Sequence, residues 1–243
     1  YDEALEYGKE AIRLSGKSTY ESKDFGMNYY YVAEVYAAMK DTANCLVYAD
    51  SLLINGGKPL LEPWKRTRQL QFAGILYGKL GHWDQALRYY EMADSVSLAN
   101  KRSGFEIERV DLAAFRARAL YRAHRLEESR QAYKEYYEGC RKIYGEDYDR
   151  TTLALRDLAN IYAFSGDPEQ GVRYLVDAQE HMARRIRGRL RFLPSSARKG
   201  NLDVFVYHAL QMTPFVLKTG HLNDGITARS WDALLLSKSL LLA

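Results

Sequence analysis

Arginine, tyrosine and amide side chains hold the positions of this 243-residue chain at which a ligand could be met. Tyr30 and Glu34 form one group, Arg68, Gln71, Ile75 and Lys79 a second, Arg118, Tyr121 and Arg122 a third, and Arg156 and Asn160 a fourth. Within each group the residues recur at helical spacing, so each group lines one side of a helix. Guanidinium forks hold carboxylates bidentately, and an asparagine amide bonds a peptide backbone whatever its sequence. These types suit an acidic peptide, a free C-terminal carboxylate or a segment of the same polypeptide. The competing reading is a solvated charged face.

Other chemistry finds less to work with. His82, His124, His181, His208 and His221 fall into no ligand spacing such as HExxH, so no metal is expected. Cys45 and Cys140 lie far apart with no CxxC spacing, which argues against a disulfide framework or zinc site and is compatible with a reducing compartment. Cys45 stands where a small residue is needed, as a packing group. Arg141 and Lys142 beside Cys140 would lower its pKa, but no histidine is placed to act as its base. GxGxxG, P-loop and GxSxG patterns are absent. The segment reads as non-enzymatic, with no cofactor.

A basic run, Arg184, Arg185, Arg187, Arg189 and Arg191, continues to Arg198 and Lys199. It could meet anionic lipid or nucleic acid, but it lacks the interleaved aromatics of RNA readers, and the net charge of +4 is mild. The exposed face of a long helix is the simpler reading, and no nucleic acid is expected. No apolar run reaches the roughly 18 residues that span a bilayer, so no membrane span is expected.

The elements that must position the arginines repeat. From Leu70 to Ala93 the sequence reads as two helices joined at Gly81-His82. Small residues at Gly74 and Ala86 mark the expected closest approach of the pair, Ala93 leaves room for the next pair, and Tyr77 and Tyr90 fill the remaining space. Small residues recur in second helices at Ala4, Cys45, Ala86, Ser129 and Gly171, in steps of 41, 41, 43 and 42. First helices give Ala33, Gly74, Ala117 and Ala159, in steps of 41, 43 and 42. A large residue follows three positions later at Tyr36, Tyr77, Leu120 and Tyr162. This predicts a lone second helix at 1–15, then pairs at 26–55, 65–98, 106–139 and 150–187. Pro168 suits the first turn of a helix. Arg116 interrupts the apolar pattern of the third pair, through a rotated helix or a paired guanidinium. A hairpin of this kind cannot bury its apolar face alone, so neighbours must stack on it.

This arrangement of small and large positions resembles the tetratricopeptide repeat (TPR). Its period of about 42 exceeds the usual 34 or so and overlaps that of HEAT repeats, which are the alternative fold. The Gly74–Tyr77 spacing with Ala86 and Ala93 favours TPR. Tyr144-Gly145-Glu146-Asp147 leading into LALRDLANIYAFSGD resembles the long units of kinesin light chain and of many bacterial signalling proteins. The expected fold is all-α, a right-handed TPR-like solenoid over 1–188 closed by a non-repeat helical pair within 189–243, with helices at 198–219 and 224–243 joined around Gly220–Gly225. Trp231, Asp232, Leu235, Lys238 and Leu240-Leu241, with FLPSSARKG upstream, resemble the junction of bacterial TPR-plus-CHAT proteins, where repeats lead into a caspase-like cysteine peptidase domain. Ser239 replaces the usual glycine.

That resemblance implies a bacterial, cytoplasmic scaffold whose groove binds a protein or peptide and controls a peptidase domain beyond Ala243. No residue here inherits the catalytic role. The sequence opens at Tyr1 and closes at Ala243 inside helical patterns, so a longer parent is expected. A peptide-sensing regulator of transcription or signalling and a purely structural adaptor are the alternatives.

Overall fold

The computed structural model describes residues 1–15, 25–55, 62–99, 105–190, 192 and 194. Among them the secondary structure is wholly helical: α1 (Asp2–Ser15), α2 (Phe25–Ala38), α3 (Thr42–Asn55), α4 (Pro63–Lys79), α5 (Trp83–Ala99), α6 (Phe105–Arg122), α7 (Leu126–Tyr144), α8 (Asp149–Phe164) and α9 (Pro168–Leu190). The molecule divides into two compact units, Tyr1–Arg125 with α1–α6 and Leu126–Ala243 with α7–α9. The division falls inside the third expected pair, so α6 and α7 belong to different units. The helices expected at 198–219 and 224–243, with Trp231 and its neighbours, lie outside the described residues.

The turns show why these segments stop where they do. After α2, α4, α6 and α8 one residue takes a left-handed conformation: Lys40 (φ 62°), Gly81 (φ 82°), His124 (φ 60°) and Gly166 (φ 94°). The next backbone N–H then reaches back into the last turn of the helix, from Asp41 to the Tyr36 carbonyl, His82 to Tyr77, Arg125 to Leu120 and Asp167 to Tyr162, each at 2.9 Å. This is the Schellman closure of a helix C-terminus. Its acceptors are the four large positions of the repeat. Second helices start on side-chain caps where the sequence supplies one: Asp41 accepts from the Asn44 N–H, and Asp167 from the Gln170 N–H, both at 3.1 Å. Pro168 opens α9.

In the first unit, α2–α3 and α4–α5 are hairpins, with α1 packed on α2, α3 on α4 and α5 on α6. The core joins Val32, Ala33 and Tyr36 of α2 to Cys45, Ala49 and Leu52 of α3 and Leu76 of α4. The side chain nearest Gly74 is Tyr90 rather than the expected Ala86. A Cβ on Gly74 would lie 2.4 Å from the Tyr90 ring, whereas Ala86 faces Gly78, where an added Cβ would lie 3.9 Å from the alanine methyl. Gly74 thus makes room for an aromatic ring. In the pairs α2–α3, α4–α5 and α8–α9 a tyrosine from the second helix also meets one from the first: Tyr48 with Tyr36 at 5.5 Å, Tyr89 with Tyr77 at 5.1 Å, and Tyr174 with Tyr162 at 5.3 Å between centroids.

In the second unit, Ala159 of α8 packs with Val172 and Leu175 of α9. Cys140 of α7 is fully buried, and burial pushes its thiol up to about 11 from an ordinary 9. This corrects the expected depression: Arg141 is turned away, 3.2 Å from Glu138 and over the Tyr137 ring. A group harder to ionise when folded supports the fold until the unfolded chain begins to lose that proton. Stability of this unit is therefore expected to fall as pH rises from about 9 to about 11, by up to ~3 kcal/mol at about 1.4 kcal/mol per pH unit. Cys140→Ala should flatten that portion of a urea-midpoint profile. An unchanged slope in the variant would remove Cys140 from the account.

Candidate protein-binding face

In the first unit the first helices α2, α4 and α6 are neighbours, and the repeat places Glu34, Ile75 and Arg118 at one level. Tyr30 is buried, stacked on Phe72 with centroids 4.3 Å apart. Burial raises the pKa of its hydroxyl, and a hydrogen bond donated to Glu34 adds to the rise. Glu34 also accepts from Lys79 Nζ. Tyr30, Glu34 and Lys79 are thus tied together across α2 and α4, and Lys79 is neutralised. Gln71 is buried as well.

Three arginines remain outward on this face. Arg68 is exposed, its guanidinium 5.7 Å from the centroid of the Phe72 ring. Arg118 and Arg122 are exposed on α6, with Tyr121 half-buried between them. Among the described residues no carboxylate pairs with any of the three. Arg118 is close enough to the buried Tyr90 to favour its ionised form, though burial dominates and raises that pKa. The face carries positive charge beside a Tyr30–Phe72 stack.

The second unit holds Arg156 and Asn160 on α8, both half-buried. Its more developed feature went unread in the sequence. The connection between α7 and α8, together with Asp149 at the start of α8, is fastened to the C-terminal half of α9. Arg184 bonds both oxygens of Asp147 (Nη2–Oδ1 2.9 Å, Nε–Oδ1 3.1 Å, Nε–Oδ2 3.4 Å), Arg185 pairs with Asp149, and His181 Nδ1 lies 2.8 Å from the Glu146 carbonyl oxygen. Arg189 reaches Asp149 at 3.9 Å. Among the described residues of the basic run, Arg184, Arg185 and Arg189 are thereby ion-paired within their own unit. The acidic residues Glu146, Asp147 and Asp149 were the available signal, but their partners lie more than thirty residues away.

Arg130 was missed too. From α7 it donates to the Ser165 carbonyl and hydroxyl at the end of α8, and its guanidinium lies 5.1 Å from the Tyr162 ring centroid. His82 and His124 are exposed in turns, as the hairpins require. No group of His, Cys, Asp and Glu among the described residues could hold a metal ion. No described helix is long and apolar enough to cross a membrane.

Residues 110–183 match the tetratricopeptide repeat family. No curated protein sequence matches this one. Among solved structures the protein is similar to BtubC (BKLC) from P. vanneervenii, with a TM-score of 0.65 and 15% identity over 98% of this sequence and 90% of that one. It is similar to the nearly identical TPR-like repeats assigned to a Podosopora anserina kinesin light chain, with a TM-score of 0.61 and 15% identity over 75% of this sequence and 87% of that one. It is also similar to the Rap conjugation gene regulator of plasmid pLS20, solved in complex with the Phr* peptide, with a TM-score of 0.55 and 13% identity over 97% and 68%. The fold is all-α and of the tetratricopeptide kind rather than HEAT. Tetratricopeptide repeats are generally protein–protein interaction modules and are normally non-catalytic.

Proposed function

We propose that the first-helix face of the first unit binds an acidic peptide segment, with Arg68, Arg118 and Arg122 receiving its carboxylates. The observation that carries this reading is the contrast within one face: Lys79 is satisfied by Glu34, while the three arginines are exposed with no carboxylate partner among the described residues. Arg156 and Asn160 of the second unit extend the reading to a second contact region. The bound segment comes from another protein or from the same polypeptide.

The expected result is saturable binding of a labelled Asp/Glu-rich peptide, weakened about 10–100-fold in the Arg118→Ala/Arg122→Ala double variant and weakened again by salt. Unchanged affinity in that variant would reject the assignment. Arg156→Ala, tested separately, reports whether α8 contributes.

At the level of the whole protein, the reading is a scaffold whose repeats control a caspase-like (CHAT) peptidase domain. Its support is the resemblance carried by Trp231, Asp232, Leu235, Lys238 and Leu240-Leu241. Loss of self-cleavage in the parent protein when its downstream cysteine is changed to alanine would support it, and a parent with no His/Cys domain would end it. A peptide-sensing regulator is the second reading, favoured by the similarity to a fold solved with a bound peptide.

A further inference from the structure

One diagonal across the first-helix face recurs with different residues on it. The repeat carries Glu34 of α2 to Ile75 of α4, a step of 41, and Lys79 of α4 to Arg122 of α6, a step of 43. The diagonal that joins Glu34 to Lys79 between α2 and α4 therefore falls on Ile75 and Arg122 between α4 and α6. Isoleucine has no acceptor to offer, and Arg122 stays exposed with no carboxylate partner among the described residues. Whether an acid stands at this one repeat position decides whether the cation on the next helix is open to a ligand.

Glu34 is held by more than the lysine. Tyr30 is 8% exposed and stacked on Phe72, and its hydroxyl donates to the Glu34 carboxylate. Moving Glu34 aside would leave that buried hydroxyl without its acceptor, a penalty that an ordinary surface ion pair does not carry. A ligand carboxylate arriving at Lys79 must therefore displace an anion that is fastened from a second side.

We propose that Glu34 is a built-in competitor for the acid-binding face: it occupies Lys79 as a ligand carboxylate would, and so limits the cations offered to an acidic segment to Arg68, Arg118 and Arg122. This rests on the acidic-peptide reading and adds a selection rule to it. A ligand carboxylate opposite Lys79 gains no free cation and meets the charge of Glu34, so the face selects segments with an uncharged residue at that point.

The test is an anisotropy titration of the labelled Asp/Glu-rich peptide into the 243-residue protein and its variants. Glu34→Gln keeps an acceptor for Tyr30 while removing the charge that engages Lys79. Circular dichroism should show it folded, and affinity should rise about fivefold. The double variant Glu34→Gln/Lys79→Ala should return to within about twofold of wild type, because the freed lysine is the source of the gain. Glu91→Gln, at an exposed position on the second helix α5, makes the same change in net charge away from this face and should leave affinity unaltered. Wild-type binding with no gain in Glu34→Gln, a gain that survives loss of Lys79, or an equal gain in Glu91→Gln would overturn the proposal and leave the acidic-peptide reading standing. Absence of binding in both wild type and Glu34→Gln would end the two together.

Discussion

Gly74→Val is expected to destabilise the first unit by about 3 kcal/mol or more, at or beyond the upper end of ordinary overpacking costs. A Cβ at this position would lie 2.4, 2.8 and 2.9 Å from three atoms of the Tyr90 ring. That ring cannot retreat: it is 4% exposed and stacks on Phe115 of α6, with centroids 6.0 Å apart. Alanine makes the same collision with one methyl group, and its higher helix propensity, worth about 1 kcal/mol, offsets part of the cost. A double variant, Gly74→Ala with Tyr90→Leu, should lose less than the sum of its parts, because the second change vacates the space the first invades. Gly188→Ala serves as the contrasting helical glycine, since a Cβ there meets nothing within 4 Å. Urea midpoints by circular dichroism decide the matter; a wild-type midpoint for Gly74→Val would mean that α4 and α5 do not approach as described.

Arg130→Ala should cost the second unit about 2 kcal/mol, the range for leaving a part-buried acceptor without its charged donor. The Arg130 side chain is 18% exposed and does two things at once: it serves the Ser165 carbonyl and hydroxyl and covers the Tyr162 ring. Arg130→Lys should recover only part of the loss, because an ammonium lacks the planar fork that reaches both oxygens while stacking on a ring. If lysine restored full stability, simple charge would suffice and the forked geometry would be irrelevant. Arg173→Ala, at an exposed position on α9, provides a control for removal of a surface arginine.

The sequence made the hairpins legible because two signals coincide in them. Small residues mark the packed side of each helix, and Gly81 and Gly166 mark turns with the left-handed geometry that glycine tolerates. Lys40 and His124 adopt the same geometry without being glycines, and only their repeat-equivalence with Gly81 and Gly166 reveals it. The candidate face was legible as a set of helical positions but not as a surface. Spacing cannot show that Phe72 covers Tyr30, that Gln71 is buried, or that Lys79 is spent on Glu34, because each depends on the rotation of a neighbouring helix. Cys140 reads from the sequence as a structural residue, and only the lowering of its pKa expected from the adjacent cations fails, because burial sets the direction. Arg130 with Ser165 and Arg184 with Asp147 join residues 35 and 37 apart, and a single sequence has no local signal for such pairs.

The four left-handed turn residues bear on how such a protein lengthens. Each joint closes on a main-chain N–H and a main-chain carbonyl, so lysine and histidine can occupy it, at the cost of about 1 kcal/mol that a Cβ adds in the left-handed region. A gene can then copy or drop a block of about 42 codons, the period of these repeats, without inventing a new connector. Selection is left free to act on the first-helix face, where Glu34, Ile75 and Arg118 differ at one shared level. The backbone joint holds the alphabet constant while the exposed side chains spell different words.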